Sequence, residues 1–526
     1  MLRKFIYVLC LVALLVIVGG YGYLHTKLPQ RSGEIVLPGL KHKVQVLFDE
    51  WAVPHIEAQN EQDAYLALGY LHAQDRLFQL ELMIRVAQGR LSEILGENMV
   101  DTDRYFRTLG ISRFAETYAK DYFHKNPQNV KDALKAYLSG LNAFVSGGPA
   151  PIEFTLLGIP KREYTIKDLI CTGVYMSYTF TNAVRQDPLL SYIHNTFGAG
   201  YLKDLAVYWP KDGTKIDFTS KSSGSELELA ELSFEIANAI SQSPPFFGSN
   251  AWAVSGSRTK SGKVILANDP HIGYAAPSTW YEAHLKTPDW ELYGHHIAGI
   301  PFAIIGHNRR MAWGVTMLQN DDLDFYLERS NPDNPDQVWF RDDWEDLKII
   351  EEVIPVRDRE DYLLRIRISR HGPVINDVLK QVKESVKQPV ALSWQMLSDF
   401  ENSTEQVFYE LGHSKTLADT YAAASKLHAP GLNISYGDAQ GNIAWWAAAR
   451  LLIRPSHVNS FIFLDGASGK DEVIGYRDFS GNPQSVNPDS GIVFNANNQP
   501  GDMGTGLEPG YYAPETRARR LSQLLK

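Results

Sequence analysis

Several short stretches carry side chains whose types and spacing suit chemistry. Gly248-Ser249-Asn250 puts a serine directly after a glycine, where a Ser/Glu/Ala-rich segment from Thr219 closes on Pro244-Pro245. A serine hydroxyl is a weak nucleophile without a base beside it, and one available base is the serine's own α-amine, freed when the preceding peptide bond is cut. That amine titrates at about 7.7 to 8.0, against about 10.4 for lysine, so much of it can accept a proton at physiological pH. Glycine before the serine keeps the bond sterically open. Taken alone, Gly-Ser-Asn is also an ordinary turn. Asn495-Ala-Asn-Asn498 reads as a polar turn as well, and His271 after Pro270 as a loop histidine. Asp321, Asp322 and Asp324 concentrate carboxylates, which suits a hard cation such as calcium or an exposed acidic loop. Ser257 and Lys260 have Ser-x-x-Lys spacing, but the companion Lys-Thr-Gly and Ser-Asp-Asn elements are missing and the pair falls in a polar turn.

Other routes lose weight. The chain has no Gly-x-Ser-x-Gly elbow, His-Glu-x-x-His helix, phosphate-binding loop or Cys-x-x-Cys pair. No organic cofactor is expected. The 526 residues carry 51 basic and 61 acidic side chains, a net charge of −10, which lacks the basic excess that nucleic-acid binding needs. Two cysteines, Cys10 and Cys171, build no disulfide framework.

The elements that must position these residues fall into two halves. Glu34 to Leu37 and Val44 to Phe48 read as strands, and Gln62 to Leu95 turns to helical periodicity, interrupted by Gly89. Further helices are expected at Val130 to Phe144 and around Leu169 to Thr179, so the first 200 or so residues are mostly helical. Thr219 to Pro245 reads as an exposed linker or excisable segment. Beyond it, runs such as Asn250 to Gly256, Lys263 to Ala267, Tyr281 to Leu285, Phe302 to Gly306 and Met311 to Thr316 read as strands. Ahead of everything, Met-Leu-Arg-Lys precedes an uncharged run from Phe5 to Leu24, which suits a signal peptide or a membrane anchor over residues 1–24 and hence export.

In its motifs the chain resembles the penicillin acylase family of N-terminal-nucleophile hydrolases, from about residue 34 to the end. These motifs are Asp49-Glu-Trp-Ala-Val-Pro-His-Ile56, Gly69-Tyr-Leu-His-Ala-Gln-Asp-Arg76, Gly89-Arg-Leu, Gly248-Ser-Asn-Ala-Trp252 and Asn268-Asp-Pro-His271. Gly306-His-Asn308, Ala312-Trp-Gly-Val-Thr316, Asp321-Asp-Leu-Asp324, Gly437-Asp-Ala-Gln-Gly-Asn442 and Asn495-Ala-Asn-Asn498 follow in order. The resemblance implies an α+β fold with a four-layer αββα core, formed by two associated chains of one self-cleaved precursor. Residues 25–218 would be the mainly helical first chain, 219–248 the spacer and 249–526 the second chain. The implied reaction is hydrolysis of the amide bond in N-acylated small molecules, of the penicillin, cephalosporin or acyl-homoserine-lactone kind, in the periplasm or anchored to the inner membrane.

By motif position, Ser249 would be the nucleophile and, through its amine, the base. The side chain of Asn497 and the backbone N–H of Met317 would hold the oxyanion. His271 would lie against the serine, and Arg517 would support the site through Asn497. Arg517, near Arg519 and Arg520, could equally belong to a solvated basic helix face. Phe180, Ile272, Ile305 and Val315 would line an apolar acyl pocket. Asp321 and Asp324 match the family's calcium-binding aspartates, with Gln186 standing at the third ligand position beside Asp187, so any calcium would be structural. Histidine at 271 leans toward the cephalosporin and acyl-homoserine-lactone branches. Family members usually continue well past the Arg517 helix, so a truncated product or a compact variant is expected. The alternative is an uncut, non-catalytic membrane-tethered relic or ligand-binding protein.

Overall fold

A computed structural model describes residues 2–204, 246–501 and 507–526. Most of the expected spacer, 219–245, and the end of the expected first chain, 205–218, lie outside the described residues.

The first segment is one helix, Leu2–His25, exposed along its length and long and apolar enough to cross a membrane. The expected strand at Glu34 to Leu37 is absent; Val36 is 97% exposed there and no neighbouring strand offers a ladder. Strand propensity without a pairing edge does not make a strand. Gln45–Phe48 instead pairs with Pro54–Glu57 as an antiparallel hairpin. Asp49 Oδ1 holds its turn by accepting from the Trp51 and Val53 N–H groups, both at 2.9 Å.

Helix Glu61–Gln88 starts where the Asn60 side chain caps the Asp63 N–H and ends at Gly89, whose φ of 62° suits glycine. It ends earlier than the periodicity suggests because Gly89 turns the chain. It crosses helix Gln128–Gly147 at backbone contact: a Cβ on Gly69 would collide with the Tyr137 carbonyl, and one on Gly140 with the Leu66 carbonyl. Helix Ile166–Tyr178, opened by a Thr165/Asp168 capping box, completes the group.

These helices cover one face of a nine-stranded sheet. Its order runs Gln45–Phe48, Pro54–Glu57, Trp280–Lys286, Glu291–Ile297, Ile300–His307, Met311–Met317, Leu432–Asp438, Ile443–Ala448 and Gln484–Val486. Strand Pro54–Glu57 joins Trp280–Lys286 in parallel, so the hairpin of the first half is built into the sheet of the second. A three-stranded antiparallel sheet, ordered Ile492–Asn495, Phe246–Val254 and Ile265–Ile272, packs against strands of the large one. Strand alternation divides the core accordingly. Trp446 joins the helix-side core, whereas Trp445 joins Ala253, Leu266 and Val493 between the sheets. Helix Glu515–Leu524 touches strand Ile492–Asn495. The architecture is thus α+β with helices and a mixed sheet, as expected.

Candidate active site

Ser249 sits in the middle strand of the small sheet and is only 3% exposed. Asn497, just past strand Ile492–Asn495, holds a left-handed φ of 61° and is fully buried. That unusual backbone turns its side chain toward the serine. Asn497 Oδ1 accepts the Ser249 N–H at 2.6 Å and an Arg517 N–H at 3.0 Å, while Nδ2 donates to the Met317 carbonyl at 2.9 Å and lies 3.5 Å from Ser249 Oγ. Two donors on the oxygen and an acceptor on the nitrogen fix which way the amide points.

Met317 ends strand Met311–Met317 and faces Leu432 across the ladder. The next residue, Leu318, donates its N–H to Gly431 at 3.1 Å. Successive N–H groups of a strand point to opposite edges, so the Met317 N–H is directed away from that ladder. Arg517, on the last helix, donates to the Ser249 carbonyl and to Asn250 Oδ1, both at 2.7 Å. It is therefore not part of a solvated basic face, and burial lowers its guanidinium from the ordinary value, opposed by Asp269. A Cβ on Gly248 would come within 2.7 Å of Arg517 Nη2, so a larger residue before the serine would push the guanidinium aside.

His271 departs from expectation. Ser249 pairs with Pro270 and Gly248 with His271, so alternation puts the imidazole on the opposite face of the sheet from the serine side chain. Its Nε2 meets Asp269 Oδ2 at 2.9 Å and Asn250 Nδ2 at 3.2 Å. It reaches the site through Asn250 and Arg517 instead of touching Ser249.

Ser249, Val315, Thr316 and Met317 form one wall of an apolar cavity that also takes in Phe180 and Ile305. Ile272 is not among its lining; it pairs with Phe246 beyond a bulge, and Pro270 fills the wall instead. The small sheet is docked by Asn268, whose side chain exchanges two hydrogen bonds with the Val315 backbone at 2.9 and 3.1 Å. Gly314 leaves room for it, since a Cβ there would lie 2.7 Å from Asn268 Cβ. Asn433 donates to Thr316 Oγ1 and the Met317 carbonyl at 3.0 Å each, and Trp445 Nε1 donates to Asn433 Oδ1 at 2.9 Å. Asn268 lies within a quoted motif. Asn433 carries no sequence signal, and neither does Asn250 as a link to His271.

The acidic loop is no exposed patch. Asp321 and Asp324 are buried, and Asp187, not Gln186, is the third carboxyl: helix Ala183–Phe197 turns Asp187 inward, where Tyr511 donates to it at 2.6 Å. Arg454 Nε donates to Asp324 at 3.0 Å and Nη2 lies 3.6 Å from Asp321. Burial pushes Asp324 up to about 6 and also raises Asp321 and Asp187. Asp187 Oδ2 and Asp324 Oδ1 are buried without a hydrogen-bond partner, whereas Asp321 has Ser460 and the Leu323 N–H beside it. Hard oxygen atoms of this kind fit calcium, although among the described residues no three acidic or imidazole groups converge closely enough to cage an ion.

The family model for penicillin amidase matches residues 43–526. The chain belongs to the penicillin amidase family. Among curated members, "Penicillin acylase 2 proenzyme" of Pseudomonas sp. (strain SE83) is 30% identical over 94% of this chain and 64% of its own length. "Acyl-homoserine lactone acylase QuiP" of Pseudomonas aeruginosa is 27% identical over 94% of this chain and 60% of its own. "Penicillin G acylase" of Escherichia coli is 24% identical over 87% and 59%. The chain thus spans about three fifths of the length of these penicillin amidase relatives.

Proposed function

We propose that this penicillin amidase family member hydrolyses amide bonds of N-acylated small molecules with Ser249 as an N-terminal nucleophile. The observation that carries the reading is that Asn497 ties together Ser249 and Met317, both of which line one apolar cavity. Cleavage of the Gly248–Ser249 bond turns the Ser249 nitrogen into an amine. Asn497 Oδ1 then orients that nitrogen through one N–H, leaving its lone pair to take the hydroxyl proton as Oγ attacks the substrate carbonyl. The amine passes this proton to the leaving nitrogen, and water releases the acid from the acyl-serine. Charge that develops on the carbonyl oxygen is met by Asn497 Nδ2 and the Met317 N–H, donors already in place before the reaction. Arg517 is a positioning residue that holds Asn497 and the serine backbone.

The two processed chains stay associated in this reading, because strand Pro54–Glu57 is hydrogen-bonded into the sheet of residues beyond 249. That shared sheet also supports the αββα reading, with helix Glu515–Leu524 outside the small sheet. The apolar leader helix supports export, with the enzyme periplasmic or held at the inner membrane. Asp187, Asp321 and Asp324 would hold a structural calcium ion, which would neutralise carboxylates away from the serine. The names of the relatives favour penicillin-type or acyl-homoserine-lactone substrates, and histidine at 271 leans toward cephalosporin or acyl-homoserine-lactone substrates. Denaturing electrophoresis with N-terminal sequencing tests the reading: two fragments, one beginning at Ser249, are expected. An uncut chain that still hydrolyses amides would overturn the mechanism.

A further inference from the structure

The cavity beside Ser249 runs from the small sheet into the helical layer, and its far wall holds a carboxyl group. Glu405 is the second residue of helix Thr404–His413 and is the one charged side chain among the described residues lining the cavity. Around it the wall is Phe114, Tyr118, Gly173, Met176 and Phe408. Gly173, on helix Ile166–Tyr178, faces the carboxyl: a Cβ there would touch Glu405 Oε1 at an ordinary contact distance of 3.9 Å.

An acid in the first turn of a helix is commonplace where it faces water and complements the helix dipole. Here the setting differs. Glu405 keeps partial accessibility, yet protein surrounds it closely enough for burial to raise its carboxyl above the ordinary value. The two facts agree if its accessible surface is the cavity wall that it lines. Its described hydrogen bonding is to its own backbone N–H, and among the described residues no basic side chain is paired with it. Tyr118, the titratable group beside it in the wall, is pushed up to about 12 by burial and by Glu405 itself. A desolvated carboxyl without a cationic partner is costly, and a ligand that brings a cation or strong donor removes that cost.

We propose that Glu405 sets the acyl specificity of the cavity, selecting acyl groups that are apolar along their length and carry an ammonium group at the far end, and rejecting chains that end in a carboxylate. The inference rests on the reading of Ser249 as the nucleophile only for its catalytic consequence; recognition by the cavity is separate. Ser249 and Glu405 line the same cavity, so an acyl chain whose carbonyl is at Ser249 can extend within it to Glu405. The oxygen of an ammonium–carboxylate pair accepts a short, charge-assisted hydrogen bond, stronger than one between neutral groups.

The test is titration calorimetry of the full chain with hexylamine, hexanol and hexanoate, followed by hydrolysis of the p-nitroanilides of hexanoic, 6-aminohexanoic and adipic acids. Hexylamine should bind at least about 10-fold more tightly than hexanol, hexanoate should be weakest, and Glu405→Gln should erase the difference between amine and alcohol. Among anilides the 6-aminohexanoyl compound should have the highest kcat/KM, and Glu405→Gln should remove its advantage over the hexanoyl compound, read as the ratio of the two kcat/KM values. Equal binding of the amine and the alcohol by the wild-type protein overturns the proposal, whatever the variant does. Hydrolysis of all three anilides without discrimination overturns it too while leaving the amidase reading intact. Glu405-dependent amine binding without any hydrolysis keeps the proposal and sinks the amidase reading.

Discussion

Asn497 Oδ1 and the Ser249 N–H meet at 2.6 Å although 248 residues separate them in sequence. The contact lies between adjacent strands of the small sheet, and the same asparagine offers its Nδ2 to the space beside Ser249 Oγ. Replacing Asn497 by alanine should therefore remove both an orienting acceptor and an oxyanion donor. Steady-state kinetics on processed protein should show kcat reduced by about 10²- to 10³-fold with KM changed little. A loss under about 3-fold would show that the Met317 N–H or another group stabilises the oxyanion without Asn497.

Gly69 lies where helices Glu61–Gln88 and Gln128–Gly147 touch backbone to backbone, so even a methyl group has no space. Gly69→Ala should cost about 1 to 3 kcal/mol by forcing the helices apart. Denaturant unfolding would show it as a lower midpoint at unchanged slope. A midpoint equal to wild type would mean that the crossing relaxes freely.

The sequence makes these helices legible, since the stripe from Leu66 to Ala87 and the stop at Gly89 are local signals. The resemblance also makes legible that Ser249 and Asn497 belong to one site, because each falls in an ordered motif, whereas Arg517 falls in none of those motifs and joins the site on the resemblance alone. What the sequence could not show depends on register. Pairing of Ser249 with Pro270 decides that His271 faces away from the serine, and a one-residue slip would reverse that. Helix phase likewise decides between Gln186 and Asp187, neighbours about 100° apart around a helix axis. The parallel junction of Pro54–Glu57 with Trp280–Lys286 joins segments too distant for any local pattern to connect.

His371 is clamped between Glu328 at 2.8 Å and Glu472 at 2.7 Å and stacks on Tyr326. These carboxylates outweigh burial and push its pKa up to about 9. The folded state therefore binds the proton more tightly than the unfolded chain, whose histidine titrates at about 6.5. The stabilisation is full below about pH 6.5 and is lost as pH rises through about 9, on the order of 2 to 3 kcal/mol. Stability of the wild type measured between pH 6.5 and 9 should fall more steeply than that of His371→Gln. Parallel curves would show that the clamp does not hold the proton.

The carboxylates of Asp321 and Asp324 share one guanidinium, that of Arg454, Asp187 is bonded to Tyr511, and Asp187 Oδ2 and Asp324 Oδ1 are left buried and unpaired. Added calcium should raise the melting temperature and a chelator should lower it, and Asp187→Asn should weaken both effects, whereas Gln186→Ala should not. A melting temperature indifferent to calcium and chelator would leave Arg454 and bound protons as the agents that neutralise the cluster.

Ser249 as an N-terminal nucleophile should react with phenylmethylsulfonyl fluoride, and mass spectrometry of the treated, purified protein locates the adduct. One sulfonyl group per molecule is expected, on the first residue of a fragment that begins at Ser249, with loss of amidase activity in step with labelling. An adduct on Ser257, or full amidase activity in a chain still joined at Gly248–Ser249, would contradict it.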